Sequence, residues 1–223
     1  MTVRALHPAR LHVFCDFDGT ITRPDTLEFL TERFGRGHEH YSESGRLLRE
    51  GKLTLREAIA RDIETIRAPF AEAAAALRAH VAIDPGFHPL VAWCAARGIR
   101  LSILSAGFHE IVELFLTPGD LPGVEIRANR LEPGTWRCVF RDRSPHGHDK
   151  ARALRAARRR GYRTVFIGDG YSDRGPARVA DLVFARRGRS LLEFCRVRSV
   201  PCEAFDTLEE VRRSLEARLR SAA

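Results

Sequence analysis

Three short apolar runs in this chain end alike, and this constrains the fold more than any other feature. Leu11 to Asp16 (LHVFCD) leads to Asp16 and Asp18; Ile99 to Ser105 (IRLSILS) leads to Ser105, Ala106 and Gly107; Thr164 to Asp169 (TVFIGD) leads to Asp169, Gly170 and Asp173. Short apolar runs bounded by turn-forming residues fit strands buried on both faces. The second run follows a stretch of helical period, Pro89 to Arg97, stopped at Gly98. The third follows another, Asp149 to Arg160, stopped at Gly161. Alternation of strand and helix predicts an α/β fold with a parallel sheet covered on both faces. Polar residues then collect at the carboxyl ends of the strands.

The pattern changes between Asp25 and Ala82. Phe29, Leu30 and Phe34 recur at helical spacing before Gly35, and Thr54 with Glu57 forms a capping box expected to open a helix over Leu55 to Ala68. This predicts a helical insertion after the first strand, a cap at residues 24–82 on a core of 1–23 and 83–223. Near the middle, VEIRANRLEPGTWRCVF (124–140) alternates around Pro133 and Gly134 and predicts a β-hairpin.

At 223 residues, with 44% hydrophobic and 30% charged residues, the chain has the balance of one soluble globular domain. Folding buries roughly 70% of the surface of a chain this size, enough to exclude water from a site without disulfides or structural metal. Cys15, Cys94, Cys138, Cys195 and Cys202 lack the close spacing of zinc or redox motifs, so free thiols are expected. No stretch approaches the ~20 apolar residues of a membrane span, and the N-terminus reads as no leader, so the expected location is cytoplasmic. The net charge of +8 permits a polyanion partner, but the basic residues are dispersed and all but Lys52 and Lys150 are Arg. The clusters Arg158, Arg159, Arg160 and Arg186, Arg187, Arg189 read as solvated faces, and a nucleic-acid partner is not favoured.

Asp16 and Asp18, two apart in extended chain, point the same way, and Gly19 lets the backbone turn beside them. Buried carboxylates need counter-ions, so a divalent cation or basic groups should lie close by. If the first and third strands are neighbours, Asp169 faces Asp16 and the oxygens suit Mg²⁺, with Asp173 one turn on to orient Lys150 or water. Ser105, Ala106 and Gly107, with a helix from Phe108, present a hydroxyl and backbone N–H groups to an anion. Lys150, a compact ammonium in a chain that otherwise uses Arg, suits neutralising a phosphate among carboxylates. His146 and His148 read as a surface turn, Cys15 as core, and Phe108 and His109 as further residues near the site.

Taken in order, Asp16/Asp18, Ser105, Lys150 and Asp169/Asp173 resemble the four motifs of the haloacid dehalogenase-like superfamily, and the resemblance spans the whole chain. It implies a Rossmann-like core with the small helical cap of the phosphoserine-phosphatase-like subgroup. CDFDGTIT, the pattern around Asp169, and DLVFAR with the later FDTLEEV further resemble the methionine-salvage phosphatases that act on a methylthio-sugar phosphate. Those enzymes differ in carrying a longer, cysteine-rich stretch before the lysine.

The resemblance implies hydrolysis of a small-molecule phosphomonoester through an aspartyl-phosphate on Asp16. Asp18 serves as acid and base, and Mg²⁺ is held by Asp16, Asp169 and the Asp18 carbonyl. Ser105, Ala106, Gly107 and Lys150 bind the phosphate, with Thr20 and Asp173 orienting. Asp25, Arg46 and Arg61 are the substrate contacts expected from the cap. Alignment with the phosphoserine phosphatases places Asp62 where they carry an arginine, which disfavours phosphoserine. Phosphocholine or phosphoethanolamine is an alternative substrate, and a basic nucleic-acid or anion-binding module is the alternative of another class. The expected assembly is a monomer or homodimer.

Overall fold

The computed structural model describes residues 8–220 apart from 118, 120 and 122; residues 1–7, part of the stretch read for a leader, lie outside these. From β1 (Leu11–Cys15) the chain passes through the two-residue β2 (Thr22–Arg23) into α1 (Thr26–Phe34), α2 (Gly37–Arg49), α3 (Leu55–Ile63) and α4 (Phe70–His80). It returns by β3 (Ala82–Ile83), which pairs antiparallel with β2. There follow α5 (Phe87–Ala96), β4 (Arg100–Phe108), the single-turn α6 (His109–Val112), β5 (Glu125–Leu131) and β6 (Cys138–Val139). The remainder is α7 (Lys150–Arg159), β7 (Arg163–Gly168), α8 (Arg174–Ala177), β8 (Leu182–Arg186), α9 (Ser190–Val197), β9 (Glu203–Phe205) and α10 (Leu208–Arg220).

Seven strands form one sheet in the order β6-β5-β4-β1-β7-β8-β9, parallel throughout except for β6. β1 sits at its centre because both of its faces are apolar. Val13 and Cys15 pack on one side with Phe87, Leu90, Val211 and Leu215 of α5 and α10. Phe14 packs on the other with Leu154 of α7 and Leu191 of α9. Cys15 is thus core, as expected, and all five cysteines are free. Because the chain moves from β1 to β4 on one flank and later places β7 on the other, the strand order reverses at β1. In an open parallel sheet the crevice beyond the carboxyl ends at such a point is where ligands bind.

The helices between β2 and β3 start where the sequence supplies caps. Asp25 accepts from the Leu27 and Glu28 amides, and the Thr54–Glu57 box is formed. Leu30, Ile59, Ile63 and Leu77 gather with Ala106, Phe108, Ile111 and Leu131 from the sheet's edge, so this block is seated over the carboxyl end of β4. Phe108 is fully buried there; burial of a side chain of this size contributes about 1.5–3 kcal/mol.

Two elements differ from expectation. α3 stops at Ile63, short of Ala68, because Ile66 N–H turns back to the Ile63 carbonyl and Arg67 N–H donates to Phe34 of α1. β4 runs on to Phe108, where a helix was expected. Beyond an irregularity after Leu104, Phe108 pairs with Asn129 of β5, and the Asn129 amide donates to the Ala106 carbonyl at 2.7 Å. Ser105, Ala106 and Gly107 therefore lie on extended chain rather than before a long helix. The expected hairpin is formed by β5 and β6, and its first strand joins the main sheet parallel to β4.

Candidate active site

β1 and β7 are direct neighbours in parallel register, so their carboxyl ends deliver Asp16 and Asp169 side by side. Lys150 opens α7, and its ammonium reaches Asp16 Oδ1 at 2.5 Å, Asp173 Oδ1 at 2.7 Å and the Ser172 hydroxyl at 2.9 Å. All of these charged groups are buried. Asp173 is committed on both oxygens, since Oδ2 accepts the Asp169 and Gly170 amides at 2.9 and 3.0 Å. It therefore fixes both the ammonium and the turn that carries Asp169. Thr20 donates a long bond, 3.4 Å, to Asp169 Oδ1. Asp18 accepts from the Thr26 hydroxyl and, at 3.0 Å, from Ser105, whose own oxygen accepts the Gly107 amide at 2.8 Å.

Burial, reinforced by Asp173, pushes the Asp16 carboxyl well above the usual carboxylate range against the pull of Lys150. Burial and then Asp25 push Asp18 up to about 7, against the Thr26 and Ser105 hydrogen bonds. Burial and Asp173 likewise bring Asp169 to about 7, although the Arg189 guanidinium opposes them. Burial pulls the Lys150 ammonium down, but Asp16 and Asp173 outweigh it and leave it above its ordinary value. Crowded carboxylates of this kind repel one another, and a divalent cation relieves that repulsion.

Carboxylate oxygens of Asp16, Asp169 and Asp173 lie within 4.8 Å of one another. Asp173 is already saturated, so Asp16 and Asp169 are the carboxylates with capacity to spare. A hard-oxygen set with open positions fits Mg²⁺. The Asp18 side chain faces Thr26 and Ser105 and is not part of this cluster.

Asp16, Asp18, Asp25, Ala106, Gly107 and Asp169 line a cavity of about 250 Å³ between the sheet and the helical block. Arg46 and Arg61, expected as substrate contacts, do not line it. Arg46 pairs with Glu50 at 2.8 Å and Arg61 with Glu43 at 2.5 Å, both on the outer side of the helices. The cavity is lined instead by Arg49, Arg174 and Arg189, with Tyr41 and Asp62. Arg189 donates to Asp169 Oδ2 at 2.8 Å.

Arg186, read as solvated, is buried. It holds the Thr20 carbonyl at 2.5 Å and Asp84 at 3.2 Å, tying the loop after β1 to β8. Both arginines follow the rule that singled out the other motifs: they stand at or just past the carboxyl end of a strand, here β8. Arg187, by contrast, is exposed and paired with Asp206. His109 pairs with Glu113, and Phe108 is core.

His146 is exposed, but His148 is buried against β4, where its Nδ1–H donates to the Ser105 carbonyl at 2.8 Å. Burial, aided by Lys150, holds its pKa down at about 4, although the Ser105 hydrogen bond opposes this. The unfolded chain therefore takes up the proton first. Stability present above about pH 6.5 is lost as pH falls towards 4, by up to about 3 kcal/mol for this group. His12 shifts the same way. His148→Asn should flatten part of the fall in Tm between pH 7 and 4, and an unchanged slope would remove His148 from this account.

Gly19 carries φ of +73°, and a Cβ there would run into the Asp169 carboxylate. Gly19→Ala should cost about 1–3 kcal/mol in strain and, by displacing Asp169, about 100-fold or more in turnover. Thermal melts and steady-state assays on the variant check both.

The family model of the haloacid dehalogenase-like hydrolases matches residues 13–178, which include Asp16, Asp18, Ser105, Lys150, Asp169 and Asp173. The chain belongs to that family. Over 218 residues this hydrolase is 32% identical to Pdp3-interacting factor 1 of Schizosaccharomyces pombe, covering 93% of this chain and 95% of that one. It is 29% identical to the polyol phosphate phosphatase PYP1 of Saccharomyces cerevisiae, with 92% of each chain covered. Identity is 28% with the 2-hydroxy-3-keto-5-methylthiopentenyl-1-phosphate phosphatase of Brevibacillus brevis, covering 93% and 96%. A phosphoserine phosphatase solved as a phospho-aspartyl intermediate analogue shares the fold at a TM-score of 0.71 and 19% identity, covering 92% of this chain and 98% of that one. No helix among the described residues is long and apolar enough to cross a membrane.

Proposed function

We propose that this hydrolase is a Mg²⁺-dependent phosphatase of small-molecule phosphomonoesters, with Asp16 as nucleophile. The observation that carries the reading is the meeting of Asp16, Lys150, Asp169 and Asp173 in a buried cluster open to one cavity, with Asp18 beside it. Asp16 and Asp169, with the Asp18 carbonyl, would hold the metal, which would supply positive charge so that a carboxylate can approach a phosphate dianion.

An Asp16 oxygen attacks phosphorus, and the bond from phosphorus to the ester oxygen breaks. Asp18, held near neutrality by burial, gives its proton to the departing alkoxide. Asp18 then takes a proton from water as that water attacks the phosphorus of the aspartyl-phosphate, which frees Asp16 and inorganic phosphate. Lys150 and the Ser105 hydroxyl bind the phosphate oxygens, together with the Ala106 and Gly107 amides. Each such donor contributes a few kcal/mol to the transition state. Thr20 and Asp173 orient the cluster. Residues 24–82 act as the cap that closes over the site and excludes water.

The substrates for which two relatives are named support a neutral leaving group, a polyol in one and a 2-hydroxy-3-keto-5-methylthiopentenyl alcohol in the other. The motifs of the methionine-salvage phosphatases favour the second. The test is phosphate release from p-nitrophenyl phosphate. Turnover should require Mg²⁺, fall to background with EDTA and return when Mg²⁺ is restored. Turnover indifferent to chelation would falsify the metal-assisted reading.

A further inference from the structure

We propose, resting on the phosphatase reading above, that Asp62 and Tyr41 select the leaving group. The cavity admits phosphate esters of neutral alcohols that bear further hydroxyls and turns away esters whose leaving group is anionic. Asp62, on α3, is only 6% exposed and lines the same cavity as Asp16. Its Oδ1 accepts the Ser44 hydroxyl at 2.6 Å and lies 3.5 Å from His40, whereas Oδ2 has no protein partner among the described residues. Tyr41, on α2, is half-buried on the same lining, and its hydroxyl likewise has no partner among the described residues.

A carboxylate oxygen with no protein donor and access to a cavity takes its donor from water or from a ligand. Here the cavity is the direction from which a donor can come. Burial and the nearby Asp25, Glu28 and Asp62 carboxylates keep the Tyr41 phenol protonated, so it both donates and accepts. Beside these two groups the lining is Leu48, Ile59 and Ile63, which suits the carbon chain of the alcohol. A hydroxyl on that chain satisfies Asp62, and an alkyl chain leaves it unpaired. A carboxylate is repelled by Asp62 and Asp25 together.

Cations on the lining do not reverse this. Arg189 is engaged by Asp169. Arg49 is exposed to solvent, whereas Arg174 is half-buried, stacks on Tyr171 and Phe194, and has a buried Nε with no partner among the described residues. Solvent screening weakens Arg49, and the half-buried Arg174 serves the incoming phosphate dianion, so Asp62 and Asp25 set the charge that the leaving group meets.

Glycerol phosphate, propyl phosphate and phosphoglycerate share a short carbon chain and differ in the relevant groups. With Mg²⁺ present, the wild type should favour glycerol phosphate over propyl phosphate in kcat/KM by about tenfold or more, the factor carried by one hydrogen bond to a charged group. It should disfavour phosphoglycerate. Asp62→Asn keeps the side chain's shape and removes its charge, so discrimination against phosphoglycerate should fall about tenfold. Tyr41→Phe should reduce the preference for glycerol phosphate through KM rather than kcat. Each ratio is taken within one preparation, so a fraction that fails to fold cancels. Wild-type ratios near one, or ratios unchanged in both variants, overturn the selectivity. Absence of turnover with every ester overturns the phosphatase reading instead.

Discussion

Asp16→Asn is expected to leave a folded protein whose turnover falls by about 10⁴-fold or more, the scale of loss when a covalent nucleophile is removed. Folding should survive because of the charges around this position. Asp16 is buried beside Asp173 and Asp169, and its folded pKa is raised above the unfolded value near 3.9. For a carboxyl shifted in that direction, ionisation as pH rises lowers stability, so at pH 7 the charge on Asp16 is a burden on the metal-free fold. The amide removes it and leaves Lys150 with Asp173 at 2.7 Å. The metal-free variant should therefore melt at or above the wild-type Tm. Mg²⁺ should raise the wild-type Tm, and raise that of the variant less, since a ligand stabilises by its affinity for the folded state. A variant that is inactive because it melts many degrees lower would refute the picture of mutually repelling carboxylates.

Lys150→Met should have the opposite signature. The ammonium is the buried cation that Asp16 and Asp173 share, at 2.5 and 2.7 Å. Removing one partner of a buried ion cluster leaves uncompensated charge and costs about 3–5 kcal/mol. For a chain of this size that corresponds to a fall in Tm of about 6–20 °C. Mg²⁺ should recover part of the loss in the variant by supplying positive charge to the same carboxylates, while turnover stays depressed because a phosphate oxygen has lost its donor. Lys150→Arg keeps the charge but brings a larger planar fork into a space shaped for an ammonium, and should restore stability only in part. Melts with and without Mg²⁺ measure this, and a drop within about 1 kcal/mol of wild type would show that the ammonium does not hold the cluster together.

Together the two substitutions separate what the site does from what holds it. Asp16 is proposed to act on phosphorus and sits in the fold at an electrostatic disadvantage, whereas Lys150 compensates that disadvantage. The same division runs through the surroundings. Asp173 spends both oxygens, and Arg186 both terminal nitrogens, on backbone and on neighbouring charges, and Asp16, Asp62 and Tyr41 keep capacity facing the cavity.

Much of this was legible along the chain, because period and punctuation are local properties. Apolar runs ending in carboxylates or in Ser105-Ala106-Gly107 follow from the rule that a central strand is apolar on both faces and its polar groups begin where the sheet ends. Lys150 was visible through its residue type and its place at the start of a helical stretch. The capping box at Thr54 and Glu57 was visible for the same reason. Identifying the motifs required no knowledge of which residues meet.

The arginines and histidines were another matter. Arg46, Arg61, Arg186 and Arg189 look alike in a sequence, yet the first two pair with glutamates on the outside of helices while Arg186 is buried and Arg189 grips Asp169. His148 stands two residues from an exposed histidine and is itself buried against Ser105. Whether a polar side chain is solvated or engaged depends on what packs against it. Those neighbours come from remote parts of the chain: Ser105 lies 43 residues from His148, and Asp16 lies 134 from Lys150. Local pattern names the elements and the polar groups at their ends. Only the packed chain chooses the partners, because burial and charge compensation are properties of pairs brought together by the sheet.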